Sequence, residues 1–226
     1  MSLSSVKAKS LVEQVCDRLA ELIRAQPEAS ASLPPERRLA EELGVSRSVI
    51  REAIKRLELQ GLLEVKRGSG IRIVDQLHRP LNGSLELLIP DSEERLRQLH
   101  ETRLVLEPEA ARMAALCATA EHLANLENIQ SRLEGATNHA DAIAHDLEFH
   151  HALVEASGNR IFRLILDSLA DISRESRERT IGSVGKETAI EHHGMILEAV
   201  LRRDPDAAES AMRYHLGEAQ RDLGLS

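Results

Sequence analysis

The chain has 226 residues, of which 42% are apolar and 29% charged, and it carries a formal net charge of −8. This composition favours folded structure throughout, in two domains or one large one, and it lacks the long apolar run that a membrane span requires. Because only 1% of the residues are aromatic, we expect an aliphatic core, and we do not expect the stacked aromatic platform of single-strand nucleic-acid binders.

The charge is distributed unevenly between the two halves of the chain. Residues 1–78 have 13 basic and 11 acidic side chains and a net charge of +2, whereas residues 79–226 have a net charge of −10. The locally basic N-terminal half is compatible with a polyanionic partner. The acidic net charge of the whole chain does not reveal this local excess of basic residues. Since no secretory leader is recognisable, we expect a cytoplasmic protein that contacts no membrane, in which Cys16 and Cys117 are reduced core residues.

Two short amphipathic helical patterns follow one another within residues 34–74 and are joined at Gly44-Val45-Ser46. A glycine at position 44 favours the left-handed turn that ends a helix. The hydroxyl of Ser46 is a good N-cap for the helix that follows. This layout predicts a helix-turn-helix, whose second helix enters the major groove of DNA.

The second helix of this pair has an apolar and a basic side. The basic side carries Arg47, Ser48, Arg51, Lys55 and Arg56. Residues near the N-terminus of such a helix reach base edges, so Arg47 is the first candidate for a guanine contact. Arg51, one turn further on, is better placed for phosphate. A solvated charged face is the alternative interpretation of the same pattern.

Beyond the helix pair the apolar residues begin to alternate. Leu63 and Val65, then Ile71 and Ile73, flank a basic segment with a Gly-Ser-Gly tip. Two strands with such a tip predict a β-hairpin wing whose end can approach the DNA backbone or minor groove. We therefore assign residues 1–78 to a winged helix-turn-helix domain that binds double-stranded DNA.

The second half shows no convincing strand pattern and is assigned to one all-helical domain, residues 79–226. Helices are predicted at 92–117, 120–134, 141–156, 160–180, 187–203 and 205–222. Capping residues precede or begin several of them: Asp91, Asp141, Asn159 and Asp204. The short connections predict an antiparallel bundle of about six helices. The fold class is therefore mainly α, with a small β-hairpin in the N-terminal domain.

Four side chains from three of these helices are predicted to point into the bundle. Asp146 and His150 share a helix face because they are four residues apart. His193 and His215 lie on apolar faces, whereas His192 is expected to face away. A divalent cation would satisfy several buried imidazoles together, and this ligand set suits Zn, Ni, Mn or Fe. Taken singly, each histidine could instead be a satisfied core residue.

The N-terminal half resembles the GntR family of bacterial transcription regulators over about residues 10–74. The resemblance rests on the run P-P-E-R-R-L-A-E-E-L-G-V-S-R-S-V-I-R-E-A-I. It places four residues on the family's DNA-contacting positions: Arg37, Arg47, Arg51 and Gly68. It also implies a homodimer on a palindromic operator. Where the family usually has a capping serine this chain has Pro35, which supplies no capping oxygen.

Residues 90–222 resemble the all-helical FCD domain of the FadR-type branch of that family. The motifs are E-T-R-L-V-L-E-P-E-A-A-R-M-A-A, D-L-E-F-H-H-A-L-V-E-A-S-G-N, E-H-H-G-M-I-L-E-A-V and M-R-Y-H-L. In metal-containing members the ligand positions correspond to Asp146, His150, His193 and His215. The resemblance also implies that Arg103 meets an acidic effector; its alternative role is a surface or structural ion pair.

The combined interpretation is a DNA-binding transcription regulator, in the simplest case a repressor, that is not an enzyme. Four protein ligands on an octahedral ion leave two positions for a small carboxylate or sugar acid, whose binding would control operator affinity. Two alternatives remain open from the sequence. One is a metal-dependent enzyme of small acids fused to a DNA-binding domain, and the other is a regulator whose metal ion only holds helices together.

Overall fold

A computed structural model describes residues 9–25, 32–66, 70–74 and 87–224, apart from the side chain of Ser183. Two sequence predictions therefore lie outside the described residues: the wing-tip glycine Gly68 and the domain boundary near residues 75–80. The chain divides into two compact units, Met1–Pro80 and Leu81–Ser226.

The described part of the N-terminal unit contains three helices and a three-stranded antiparallel sheet. In chain order these are α1 (Leu11–Arg24), β1 (Ser32–Leu33), α2 (Glu36–Leu43), α3 (Arg47–Leu59), β2 (Leu63–Lys66) and β3 (Gly70–Ile73). The strand order is β1-β3-β2, so the predicted hairpin of β2 and β3 is confirmed. The two-residue strand β1 is an addition that sequence periodicity did not reveal, because two residues are too few to show alternation.

The joint between α2 and α3 is formed as its residue types predict. Gly44 ends α2 in the left-handed conformation, with φ 65°, which glycine adopts without strain. Ser46 caps α3, and its Oγ accepts a hydrogen bond from the backbone N–H of Val49 at 3.4 Å. Pro35 occupies the N-cap of α2 without a side-chain cap. The buried aliphatic side chains that hold this unit together include Leu19, Leu39, Ile50, Ile54, Leu57 and Ile71.

The described part of the C-terminal unit is entirely helical, as predicted. Its helices are α4 (Ser92–Cys117), α5 (Ala120–Gly135), α6 (His139–Ala156), α7 (Arg160–Ser168), α8 (Ala170–Val184), α9 (Glu187–Leu201) and α10 (Pro205–Asp222). The mainly α fold class is thus confirmed. Within the ranges described, every helix is too short or too polar to cross a membrane.

Several boundaries in this unit differ from the sequence prediction, among them the end of α9, which is Leu201 and not residue 203. The helix predicted over 160–180 is interrupted at Leu169, which has φ −103° and ψ 5°. Just before the break the hydroxyl of Ser168 donates to the carbonyl of Ile165, a local bond that competes with the helical ladder. The cap of α6 is Asn138 and not Asp141, because the Asn138 side chain accepts from the Asp141 N–H.

Small residues allow close helix packing in the core of the C-terminal unit. Ala110, Ala111, Ala114 and Ala115 of α4 are fully buried, and α4 packs along α10. The prediction that Cys117 is a core residue is wrong: it is the last residue of α4 and is exposed. In the last turn of that helix Ala114 and Ala115 are the buried residues, whereas Leu116 and Cys117 lie on the exposed side.

Candidate functional site

The basic side of α3 is exposed, as a DNA-contacting surface requires. The side chains of Arg47 and Arg51 are 60% and 58% exposed. Both are near Glu36 of α2, whose Oε2 accepts from Arg51 Nε at 2.7 Å and lies 4.0 Å from Arg47 Nη2. The two arginines predicted to contact DNA therefore share one carboxylate neighbour.

The other predicted DNA contacts that the structure describes are also at the surface. Arg37 of α2 pairs with Glu41, with Nε and Oε1 3.0 Å apart. Ser48 is exposed at the start of α3, where its Oγ lies 2.8 Å from the Oγ of Ser46. The start of α3 thus presents hydroxyl and guanidinium groups side by side.

The four predicted metal ligands come together inside the C-terminal unit. One nitrogen each of His150, His193 and His215 lies within 4.8 Å of the others, and the Nε2 atoms of His150 and His215 are 3.2 Å apart. Asp146 completes the group: its Oδ1 lies 3.4 Å from His193 Nε2 and its Oδ2 lies 3.8 Å from His150 Nε2. We call these four residues the histidine–aspartate cluster.

Three helices position the cluster. Asp146 and His150 project from adjacent turns of α6, His193 comes from α9 and His215 from α10. The imidazole of His193 stacks on the ring of Phe149, with ring centroids 4.1 Å apart, so an apolar contact fixes its plane. All four side chains are buried.

Burial keeps the imidazoles of the cluster neutral, and nearby positive charge keeps its carboxylate ionised. Desolvation lowers the pKa of His193 to about 3 and lowers the pKa of His150 and of His215 as well. For Asp146 burial acts in the opposite direction, but the Arg177 guanidinium and the neighbouring imidazoles outweigh it and hold its pKa far below the usual value. Neutral imidazole and ionised carboxylate are the protonation states in which these groups bind metal.

The donor atoms of the cluster fit a divalent cation. His193 Nε2, which lies 3.4 Å from Asp146 Oδ1, is buried without a hydrogen-bond partner in the described structure. A buried polar atom left unpaired costs about 1–3 kcal/mol. Three imidazole nitrogens and one carboxylate are a donor set suited to Zn, Ni, Mn or Fe.

Two buried ion pairs surround the cluster. Arg177 of α8 donates through Nε to Asp146 Oδ2 at 2.7 Å. Glu107 of α4 accepts from Arg103 Nε at 2.5 Å and lies with Oε2 2.5 Å from His150 Nδ1. Arg103, predicted to meet an effector, thus forms a buried ion pair with Glu107.

An open cavity borders the cluster on one side. Its volume is about 40 Å³, room for a few water molecules, so a larger ligand would extend into its open mouth. Its walls include Arg103, Asp146, Ser176, Arg177, Thr188, His192 and His215. Two members of the histidine–aspartate cluster thus belong to the cavity wall.

Several residues of this site were not predicted from the sequence. His192 was expected at the surface, but it is buried beside Tyr214, with ring centroids 4.9 Å apart. That prediction is wrong because α9 packs on more than one side. Glu107 and Arg177 were not identified at all, although Arg103 and Glu107 fall at helical spacing with the buried Leu99 and Ala110.

Two family models match the chain. The model described as "Bacterial regulatory proteins, gntR family" matches residues 11–73, and the model of the FCD domain matches residues 98–218. The first match covers the helix pair and most of the wing. The second covers the entire histidine–aspartate cluster.

Known proteins resemble the chain over most of its length. The Uxu operon transcriptional regulator of Escherichia coli (strain K12) is 30% identical, and the match covers 97% of this chain and 89% of the relative. The HTH-type transcriptional repressor NanR of Cronobacter sakazakii is 32% identical, and the match covers 92% of this chain and 83% of that relative. The solved structure of Streptococcus agalactiae GntR is 35% identical with a TM-score of 0.76, covering 93% of this chain and 100% of that one.

Proposed function

The chain belongs to the GntR family of DNA-binding transcription regulators and carries an FCD domain, and we propose that a small carboxylate or sugar acid held at a divalent metal ion in the C-terminal unit controls its operator binding. Asp146, His150, His193 and His215 would hold the ion. Bound there, the ion would supply open coordination positions for the acid.

One observation carries the proposal: the ligand set and the cavity share residues. Asp146 and His215 belong to the histidine–aspartate cluster and also line the cavity. An ion held by them would be reachable by a molecule in the cavity. An ion that only held helices together would need no such opening.

The charges around the cluster favour an anion once a cation is bound. Arg103 is balanced by Glu107, and Arg177 by Asp146. With the imidazoles neutral, a divalent ion would leave these buried groups with an excess of positive charge. A carboxylate would neutralise part of it at short range, where the surrounding protein screens charge less than water does. The hydroxyls of Ser176 and Thr188 on the cavity wall could bind hydroxyl groups of a sugar acid.

On the DNA side we assign base contact to Arg47 and phosphate contact to Arg37 and Arg51. Ser48 and the wing glycine Gly68 would complete the contact surface. The site of action is chromosomal DNA, so a cytoplasmic location is part of the proposal. We take the sign of regulation to be repression, because an acid-controlled block of a promoter needs no further contact with the transcription machinery.

We further propose that the chain acts as a homodimer. A palindromic operator has two half-sites, which two recognition helices at fixed spacing would read. Val105 and Leu116 of α4 are 72% and 58% exposed. They are about three helical turns apart on one face, with the ion pair of Glu109 and Arg112 between them, so they would offer two apolar contacts flanking a charged pair to a second copy.

A thermal-shift screen of small carboxylates and sugar acids, run with and without Zn²⁺, tests the effector site. An acid that binds through the ion should raise the melting temperature only when Zn²⁺ is present. The same acid with Zn²⁺ should change the affinity for an operator duplex that the protein has selected from a random pool. His150→Gln should abolish both effects, whereas the adjacent control His151→Gln should retain them.

The opposite outcomes are equally defined. If chelation lowers the helicity and the melting temperature, and no acid requires Zn²⁺ for its binding, the ion is structural. If an acid binds with the ion but operator affinity does not change, the cavity is not the regulatory site.

A further inference from the structure

A continuous chain of buried contacts runs from the cavity wall to one member of the histidine–aspartate cluster. Arg103 lines the cavity and donates to Glu107 Oε1, while Glu107 Oε2 lies 2.5 Å from His150 Nδ1. Arg103 and Glu107 are 2% and 1% exposed. Because burial shields these bonds from solvent, the three side chains are positioned by one another.

Glu107 determines which nitrogen of His150 carries the proton. An ionised carboxylate only accepts hydrogen bonds, so the short contact requires a proton on Nδ1 of the ring. The Nε2 atom is then unprotonated, and it is the atom that lies 3.2 Å from His215 Nε2 and 3.8 Å from Asp146 Oδ2. The lone pair of His150 is therefore directed at the centre of the cluster.

His150 differs in this respect from the other two imidazoles. The Nδ1 atoms of His193 and His215 are buried without a hydrogen-bond partner among the residues described. Their rings are held by packing, for example on Phe149, and no carboxylate in the described structure bonds to their Nδ1 atoms. Of the three histidines, His150 is the one whose orientation depends on a charged neighbour at Nδ1.

We propose that Glu107 is a positioning residue of the metal centre, which fixes His150 with Nε2 available for the ion and is itself held in place by Arg103. The inference rests on the metal centre proposed above. It gives the buried pair of Arg103 and Glu107 a role beyond helix packing. A carboxylate behind a ligating histidine orients the ring and raises its basicity, and removing such a partner typically weakens metal binding about 10–100-fold.

The test is Zn²⁺ affinity of the full-length chain, measured by competition with a chromophoric chelator. Glu107→Gln should weaken Zn²⁺ binding at least about tenfold. The matched control is Glu109→Gln on the same helix, which removes the same charge from a partly exposed pair with Arg112 and should leave affinity within about twofold. Equal affinity of Glu107→Gln and wild type would overturn the proposal.

A second variant addresses the danger that Glu107→Gln fails to fold with Arg103 left buried and unpaired. Combining Arg103→Met with Glu107→Met removes both charges at similar volume, a change that buried ion pairs often tolerate. The double variant should fold and still lose about 10–100-fold in Zn²⁺ affinity. If it folds and binds Zn²⁺ as wild type does, Glu107 is only a packing residue.

A measurement on the metal-free wild type removes any dependence on mutants. The ¹⁵N spectrum of its histidine rings should show Nδ1 of His150 protonated and Nε2 unprotonated. The reverse tautomer would overturn the positioning role even if the chain binds metal. Failure of wild type and Glu109→Gln alike to bind Zn²⁺ would instead refute the metal centre, and this inference with it.

Discussion

Arg51 of the recognition helix is bound to Glu36, with 2.7 Å between Arg51 Nε and Glu36 Oε2. In the absence of DNA, the arginine expected on phosphate thus already has an acidic partner. Any DNA that recruits Arg51 must displace this carboxylate. We therefore expect Glu36 to compete with phosphate for Arg51 and to weaken binding to all DNA, a loss that base contacts to an operator would offset.

Glu36→Gln should raise the affinity for non-operator duplex about two- to fivefold, because an exposed ion pair is worth up to about 1 kcal/mol. Fluorescence anisotropy with a duplex of random sequence measures the effect. The control is Glu42→Gln, which removes the same charge from the same helix but from a pair with Arg38. An equal gain in both variants would mean that net charge, not release of Arg51, is responsible.

Arg47→Ala and Arg51→Ala should have different effects on DNA binding. Loss of a base contact at Arg47 should cost about 1–3 kcal/mol for the selected operator and relax preference at one base-pair position. Loss of a phosphate contact at Arg51 should weaken binding to all sequences and reduce the slope of log affinity against log salt by about 1. Titrations at several salt concentrations on operator and single-base variants distinguish the two. If Arg47→Ala leaves the base preference intact, the assignment to base contact is wrong.

Metal-free protein should lose stability as the pH falls below about 6.5. Burial, with help from Arg103 and Arg177, lowers the pKa of His100 to about 3, from 6.5 when it is solvated. Between these values the unfolded chain binds the proton that the folded chain excludes, so the free energy of unfolding decreases as pH is lowered. Desolvation gives His193 a pKa of about 3 as well, and the two effects act in the same direction.

Urea unfolding in the presence of a chelator, at a series of pH values, measures this dependence. Between pH 6.5 and pH 4.5, His100→Gln should reduce the slope of the free energy of unfolding against pH. The reduction should correspond to up to about one fewer proton taken up on unfolding. His139→Gln, which removes an exposed imidazole from the start of α6, is the matched control. A wild-type protein that is equally stable across this range would contradict the burial of these imidazoles in the neutral form.

Local chemistry made much of the fold predictable. Gly44 and Ser46 specify a helix end and a helix start by backbone preference and hydrogen bonding alone, and both are found as predicted. The same holds for Asp204 followed by Pro205 at the start of α10. The N-cap of α6 was predicted at Asp141 but is Asn138. Both residue types cap helices, and their sequence alone does not show which of the two occupies the cap.

The candidate site was predictable where spacing alone defines it. Asp146 and His150, four residues apart, had to share a face of α6. Glu107 and Arg177 were missed because a charged residue in a helical pattern is normally solvated, and only the tertiary packing places them at buried positions of α4 and α8. The convergence of His193 and His215 on α6 likewise depends on how three helices pack, which no single helical pattern contains.

Equilibrium dialysis of the full-length chain against Zn²⁺ shows whether Asp146, His150, His193 and His215 together hold a metal ion. Wild type should retain one ion per chain. His193→Gln should weaken Zn²⁺ binding at least about tenfold. Loss of a direct ligand should weaken binding more than loss of a residue that only orients a ligand, which already costs about 10–100-fold. His192→Gln, which alters the adjacent cavity-lining imidazole, should retain the ion. If His193→Gln binds Zn²⁺ with wild-type affinity, or if the wild type binds none, these four residues do not form a metal centre.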